Sequence, residues 1–112
     1  MRLVIVESPF AGDEETNIAY ARAALADCLA RGEAPFASHL LYTQPDVLDD
    51  SDPDERRQGI SAGFSWARCA DATVVYFDLG ISPGMKQGID HASSCGRPIE
   101  FRTISGWAQR TA

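Results

Sequence analysis

Two uninterrupted runs of β-forming apolar residues constrain this chain most: LVIV at 3–6 and ATVVYF at 72–77. A strand with one wet face alternates apolar and polar residues, and these do not. Such runs belong in strands buried on both faces, which requires a parallel sheet with helices on either side. The intervening segments supply the helices. Asp13 is placed to cap a helix from Glu14 to Arg31, with an apolar stripe of Ile18, Ala21, Leu25, Cys28 and Leu29, and Gly32 just beyond its end. A second strand is expected at 34–38, followed by a long loop, HLLYTQPDVLDDS. Asp52-Pro53-Asp54-Glu55 combines an N-cap, a proline at N1 and an acid at N3. It predicts a helix to Cys69 with Ile60, Phe64 and Ala67 inward. Ser82 and Pro83 start a third helix, ending near Gly96, and PIEF at 98–101 is the last strand before a short tail. The alternation βαβαβαβ with right-handed crossovers and one reversal predicts strand order 2-1-3-4. The expected fold is one α/β, Rossmann- or flavodoxin-like domain over residues 1–112.

Composition narrows the function classes. The chain has 112 residues, 45% apolar and 23% charged, which suits one domain with an ordinary core. No apolar run approaches the roughly 20 residues that span a bilayer, and the basic and apolar start is too short for a secretory signal. The expectation is a cytoplasmic protein with no membrane partner. Cys28, Cys69 and Cys95 lack metal-ligand spacing and are expected as reduced core thiols. With only His39 and His91 as histidines, neither a metal nor another cofactor is expected. The net charge of −6, with acids gathered at Asp46, Asp49, Asp50, Asp52, Asp54 and Glu55, disfavours polymeric nucleic acid. A small anion is still compatible, because a helix N-terminus binds phosphate without net positive charge.

In this topology ligands bind where the strand order reverses, beyond the carboxyl ends of strands 1 and 3. Glu7-Ser8-Pro9-Phe10 leaves the first, Asp78-Leu79-Gly80 leaves the second, and Ser82-Pro83-Gly84-Met85 opens the third helix. An acid that ends a buried strand often marks only the point where the chain meets water. Two of them beside a helix start suggest a site, so Glu7 and Asp78 are the candidate catalytic residues. Ser82 is first an N-cap, worth about 1 kcal/mol. The N–H groups of Gly84 and Met85, with the helix dipole, suit an anion. Phe10 could stack on a base or cover the core edge. His39 and Tyr42 could line the far side of the cleft. Asp90 is expected to pair with Lys86 in solvent, with His91 pointing the same way.

VESPFAG, ADATVVYFD and SPGM…A…GRPIE resemble the nucleoside 2-deoxyribosyltransferase-like superfamily. GEAPFASHLLYTQ and DLGISPGMKQGIDHA resemble more closely a small phage and prophage branch of unknown function. The superfamily's glutamate nucleophile lies in a pattern like Ser-x-Gly-x-x-x-Glu-x-x-x-Ala. Here Ser82, Gly84 and Ala92 match, and Gly88 takes the glutamate's place. The resemblance also implies a 5′-phosphate ligand at Ser82, a sugar-proximal role for Asp71, and a homodimer or higher homo-oligomer completing its sites across subunits.

The first functional expectation is therefore a binder of a nucleotide or nucleotide-sugar derivative through Ser8, Pro9, Phe10, His39, Asp71, Ser82, Gly84 and Met85, without the nucleophile. The alternative is an N-glycosidase or deoxyribosyltransferase that uses Glu7 or Asp78. A third is a protein-interaction module acting through the acidic 46–56 loop. Gly88 itself has two readings: close helix-to-sheet packing, or space reserved for ligand.

Overall fold

The computed structural model describes residues 1–107. Eight elements follow in order: β1 (Arg2–Glu7), α1 (Glu14–Ala30), β2 (Glu33–Phe36), α2 (Ser38–Leu41), α3 (Pro53–Ala67), β3 (Ala72–Tyr76), α4 (Pro83–Ser94) and β4 (Ile99–Arg102). The four strands form one parallel sheet in the order β2-β1-β3-β4, as expected. All five residues of β3 are buried, consistent with a strand covered on both faces.

Register divides the sheet into two faces. Val4 pairs with Ala72, Val6 with Val74, and Glu7 with Val75. Successive side chains alternate, so residues in register share a face. Val4, Val6, Val74 and Tyr76 join Tyr20, Ala24 and Cys28 of α1 in one core cluster. Ile5, Glu7, Thr73 and Val75 therefore face the opposite way, toward α3 and α4. Met85, Gly88 and Ala92 form the buried side of α4, and Gly63 and Ala67 that of α3.

The local helix signals are realised. Asp13 Oδ1 accepts from Thr16 N at 3.3 Å, Asp52 Oδ1 from Asp54 N at 2.9 Å, and Ser82 Oγ from Met85 N at 3.3 Å. Gly32 closes α1 at φ +79°, a left-handed conformation that disfavours side chains.

The expected burial differs in several places. The face α1 buries is Asn17, Tyr20, Ala21, Ala24 and Cys28, while Leu29 is 56% exposed. Apolar residues surround this helix, so periodicity did not select the face. Tyr20 did, through a polar tip that reaches a hydrogen bond inside. The expected long loop begins with α2, which follows directly on the second strand. Only Cys28 is a core thiol; Cys69 and Cys95 are exposed. The tail is not a mere appendage, since Ile104 and Trp107 are buried and Trp107 packs edge-on to Tyr20, ring centroids 4.8 Å apart. The rest of the expected tail, 108–112, lies outside the described residues. Among those described, no helix is long and apolar enough to cross a membrane.

Candidate functional site

A cleft of about 280 Å³ opens at the carboxyl end of β1. β1 and its following loop contribute Glu7, Ser8 and Phe10, and α2 contributes Ser38 and His39. Asp50, Arg56, Ile60 and Phe64 line the α3 side, and Ser82 to Met85, Gln87 and Gly88 line the α4 side. Its volume is at the small end of the roughly 300–1,000 Å³ usual for small-molecule sites. It lies at the topological switch point, where a parallel sheet opens a crevice.

The amino end of α4 forms one corner. Ser82 Oγ accepts from Met85 N, and Ser82 N donates to the Met85 thioether at 3.3 Å. The Met85 N–H expected to face an anion is thus already engaged, which leaves Gly84 N–H as the first-turn donor at this corner. Sequence reasoning missed its neighbour, Arg56. A Cβ placed on Gly84 would lie 3.5 Å from an Arg56 guanidinium nitrogen. Arg56 leans on Asp50 at 3.6 Å, a long and half-exposed ion pair that contributes little to stability. The signal was present in the sequence: Arg56 follows the Asp52 cap by four residues, on the first turn of a helix aimed at the switch point.

The other corner holds Glu7. A Cβ built on Gly88 would lie 2.7 Å from Glu7 Oε1, and closer still to its carboxyl carbon and Oε2. The Glu7 carboxyl therefore fills the volume a side chain at 88 would occupy. What Gly88 packs against is the end of a flexible side chain, so a Cβ there would displace the carboxyl rather than the backbone. Among the described residues no hydrogen bond reaches the Glu7 carboxyl. Burial pushes its pKa up to about 8, and Arg97 only partly offsets this. The Arg97 guanidinium is itself committed to Thr73 Oγ1 at 3.0 Å, to Ala67 O at 3.1 Å and to His91 Nδ1 at 3.3 Å.

Beside Glu7, Ser8 Oγ and His39 Nε2 share a hydrogen bond of 2.7 Å. Burial drives the His39 pKa down to about 4, so the ring is neutral at pH 7. The two side chains satisfy each other and floor the cleft between β1 and α2. Close packing holds α2 there, because a Cβ on Gly63 of α3 would come within 2.6 Å of Ser38 Oγ.

Of the candidates from sequence, the cleft gathers Glu7, Ser8, Phe10, His39, Ser82, Gly84 and Met85. Three others fall elsewhere. Pro9 is buried but does not line it. Asp71 sits at the amino end of the sheet, where its Oδ2 accepts from Leu3 N at 2.7 Å, so the sugar-proximal role implied by resemblance is not open to it in this cleft. Asp78 lies on the α1 face. Its Oδ2 accepts from Tyr20 Oη at 2.6 Å and from Ile104 N at 2.8 Å, and its own N–H donates to Tyr20 Oη at 2.8 Å. Tyr42 lines a smaller adjoining pocket with Leu48 and Gly59. Asp90 is exposed, with no ion pair to Lys86 among the described residues. His91, expected on the solvent side with it, stacks on Phe64 with centroids 4.0 Å apart and planes within 5°.

Solved structures share this architecture. A 2-deoxyribosyltransferase from Bacillus psychrosaccharolyticus superposes with a TM-score of 0.64 at 18% identity, covering 93% of this chain and 74% of that one. A 2-desoxiribosyltransferase from Leishmania mexicana gives 0.60 at 13% identity, over 92% and 65%. A CMP N-glycosidase from Clostridium botulinum gives 0.52 at 15% identity, over 91% and 69%. This chain thus spans about two thirds to three quarters of the length of each. At these identities the likeness establishes the fold, the nucleoside 2-deoxyribosyltransferase-like α/β sandwich. A search of curated proteins returns no match. The profile of one family matches residues 2–102, nearly the whole chain, and the protein belongs to that family, the domain of unknown function DUF7768.

Proposed function

We propose that the cleft binds a nucleotide or nucleotide-sugar derivative, with its phosphate at the corner made by Ser82, Gly84 and Arg56. The observation that carries this reading is Arg56: it brings a guanidinium to the amino end of α4, inside the cleft of about 280 Å³. A phosphate there gains the α4 dipole, the Gly84 N–H and charge-assisted hydrogen bonds from Arg56. It displaces only the weak contact to Asp50. Phe10 and Phe64 supply apolar surface for a base or sugar between that corner and Glu7. The fold neighbours support a nucleoside-type ligand, since their names describe deoxyribosyl transfer and cleavage of CMP.

Calorimetry with nucleoside monophosphates, cyclic nucleotides and ADP-ribose derivatives tests this. The expected result is binding that weakens at least about tenfold in Arg56→Ala, the scale of a hydrogen bond to a charged group. No binding, or binding unchanged in both Arg56→Ala and Ser82→Ala, contradicts it.

A second reading, cleavage of an N-glycosidic bond, is favoured by the Glu7 carboxyl in the place of a side chain at 88. Of the two acids named from sequence, only Glu7 reaches the cleft.

A further inference from the structure

The geometry points to Glu7 as the proton donor of this cleft, an acid delivered from β1 across Gly88 that protonates the base leaving an N-glycosidic nucleotide. The inference rests on the nucleotide reading above and deepens it. Three observations support it. The carboxyl lies against bare helix at Gly88, in the volume that a Cβ there would occupy. It lines the cleft beside Ser8 and Gln87 and takes no hydrogen bond among the described residues. Its neighbours do not force it to ionise. His39 from α2 is neutral, Asp50 and Arg56 on the α3 side lean on each other, and Arg97 behind α4 is held by Thr73, Ala67 and His91. A carboxyl largely withdrawn from water and without an ion-pair partner is harder to ionise, in line with a pKa pushed up to about 8.

The step balances with water alone. As the bond from the sugar's anomeric carbon to nitrogen breaks, its electron pair leaves with the base, which takes the Glu7 proton. The carboxylate so formed faces the cationic sugar carbon and stabilises it. Water adds to that carbon and returns a proton to Glu7. The products are free base and a sugar phosphate with an anomeric hydroxyl. A nucleophile on α4 is not needed, and a side chain at 88 would displace the acid from its present position.

The test is to incubate the protein with ribo- and deoxyribonucleoside 5′-monophosphates from pH 5 to 9, following free base by chromatography and binding by calorimetry. The expected result is base release that falls about tenfold per pH unit above a midpoint near 8. Glu7→Gln should lose at least about 100-fold while still binding the monophosphate and unfolding at no lower a temperature than the wild type. Binding without base release overturns the Glu7 inference and leaves the nucleotide reading standing. Base release undiminished in Glu7→Gln, or rising through pH 8 in the wild type, overturns it as well. Absence of binding overturns the nucleotide reading and this inference together.

Discussion

Glu7 and Asp78 end adjacent strands, both after buried apolar runs, and they have opposite environments. Asp78 points to the α1 face, where the Tyr20 hydroxyl and the Ile104 N–H both donate to its carboxylate. The same face carries a larger polar network. Arg102 forks onto Glu33 through two bonds of 2.7 Å, Tyr76 Oη donates to Asp27 at 2.5 Å, and Arg2 bridges Glu33 and Glu100. Hydrogen bonding by Arg102 holds the Glu33 carboxyl below its ordinary range. On the other face Glu7 has a hydrophobic strand behind it, a glycine in front of it and a cleft beside it. An acid with its partners in place is part of the scaffold. One without them is costly to ionise, and that cost is tolerable where the uncharged form is useful.

The largest expected effect tests the scaffold side. Asp78→Ala orphans the Tyr20 hydroxyl and the Ile104 N–H, at about 1–3 kcal/mol each. Urea unfolding at pH 7 should show that loss; a change below about 1 kcal/mol would place Asp78 with Glu7 rather than opposite it.

The next effect lies in pH dependence. With a folded pKa of about 8 against an ordinary 4.5, Glu7 keeps its proton in the native state through a window where the unfolded chain has lost it. Raising the pH therefore favours unfolding between about 4.5 and 8, by up to about 1.4 kcal/mol per unit, with the penalty complete above 8. His39 acts in the opposite sense. Its folded pKa of about 4 makes the native state lose stability as pH falls from about 6.5 to 4. The two contributions oppose each other up to about 6.5, so the Glu7 slope stands clear between 6.5 and 8. Glu7→Gln should become progressively more stable than the wild type across that interval. A difference that stays constant with pH would contradict the assignment.

A smaller effect isolates the contact itself. Gly88→Ala pushes the Glu7 carboxyl out of its place, yet alanine is worth about 1 kcal/mol more than glycine within a helix. In a Glu7→Ala background the alanine at 88 should be better tolerated, with a coupling of about 1 kcal/mol in the double-mutant cycle. Additive changes would show that the two residues do not compete for one space. The smallest effect expected is on stability in Arg56→Ala, within about 0.5 kcal/mol, because its pair with Asp50 is long and half-exposed.

Much of the fold was legible because its signals are local. The caps at Asp13, Asp52 and Ser82 and the unbroken strands at 3–6 and 72–77 need no knowledge of distant neighbours. Strand order followed from handedness and one reversal. The face of α1 was not legible, since Leu29 fits a helical stripe as well as Tyr20 does, and the hydrogen bond to Asp78 and the edge contact with Trp107 that separate them lie far along the chain. Glu7 and Gly88 were each visible as anomalies, an acid ending an apolar strand and a glycine inside a helix. Their contact spans most of the chain, and no pattern within either segment encodes it. The separation of Glu7 from Asp78 was recoverable in part: once Glu7 pairs with Val75, parity alone puts residue 78 on the opposite face.

An uncharged Glu7 carboxyl in the cleft at neutral pH is what separates this acid from Asp78. A carbon-13 NMR titration of its carboxyl group tests this most directly, with Glu7→Gln assigning the resonance. The expected midpoint is near pH 8; a midpoint near the ordinary 4.5 would mean that the carboxyl is charged at neutral pH.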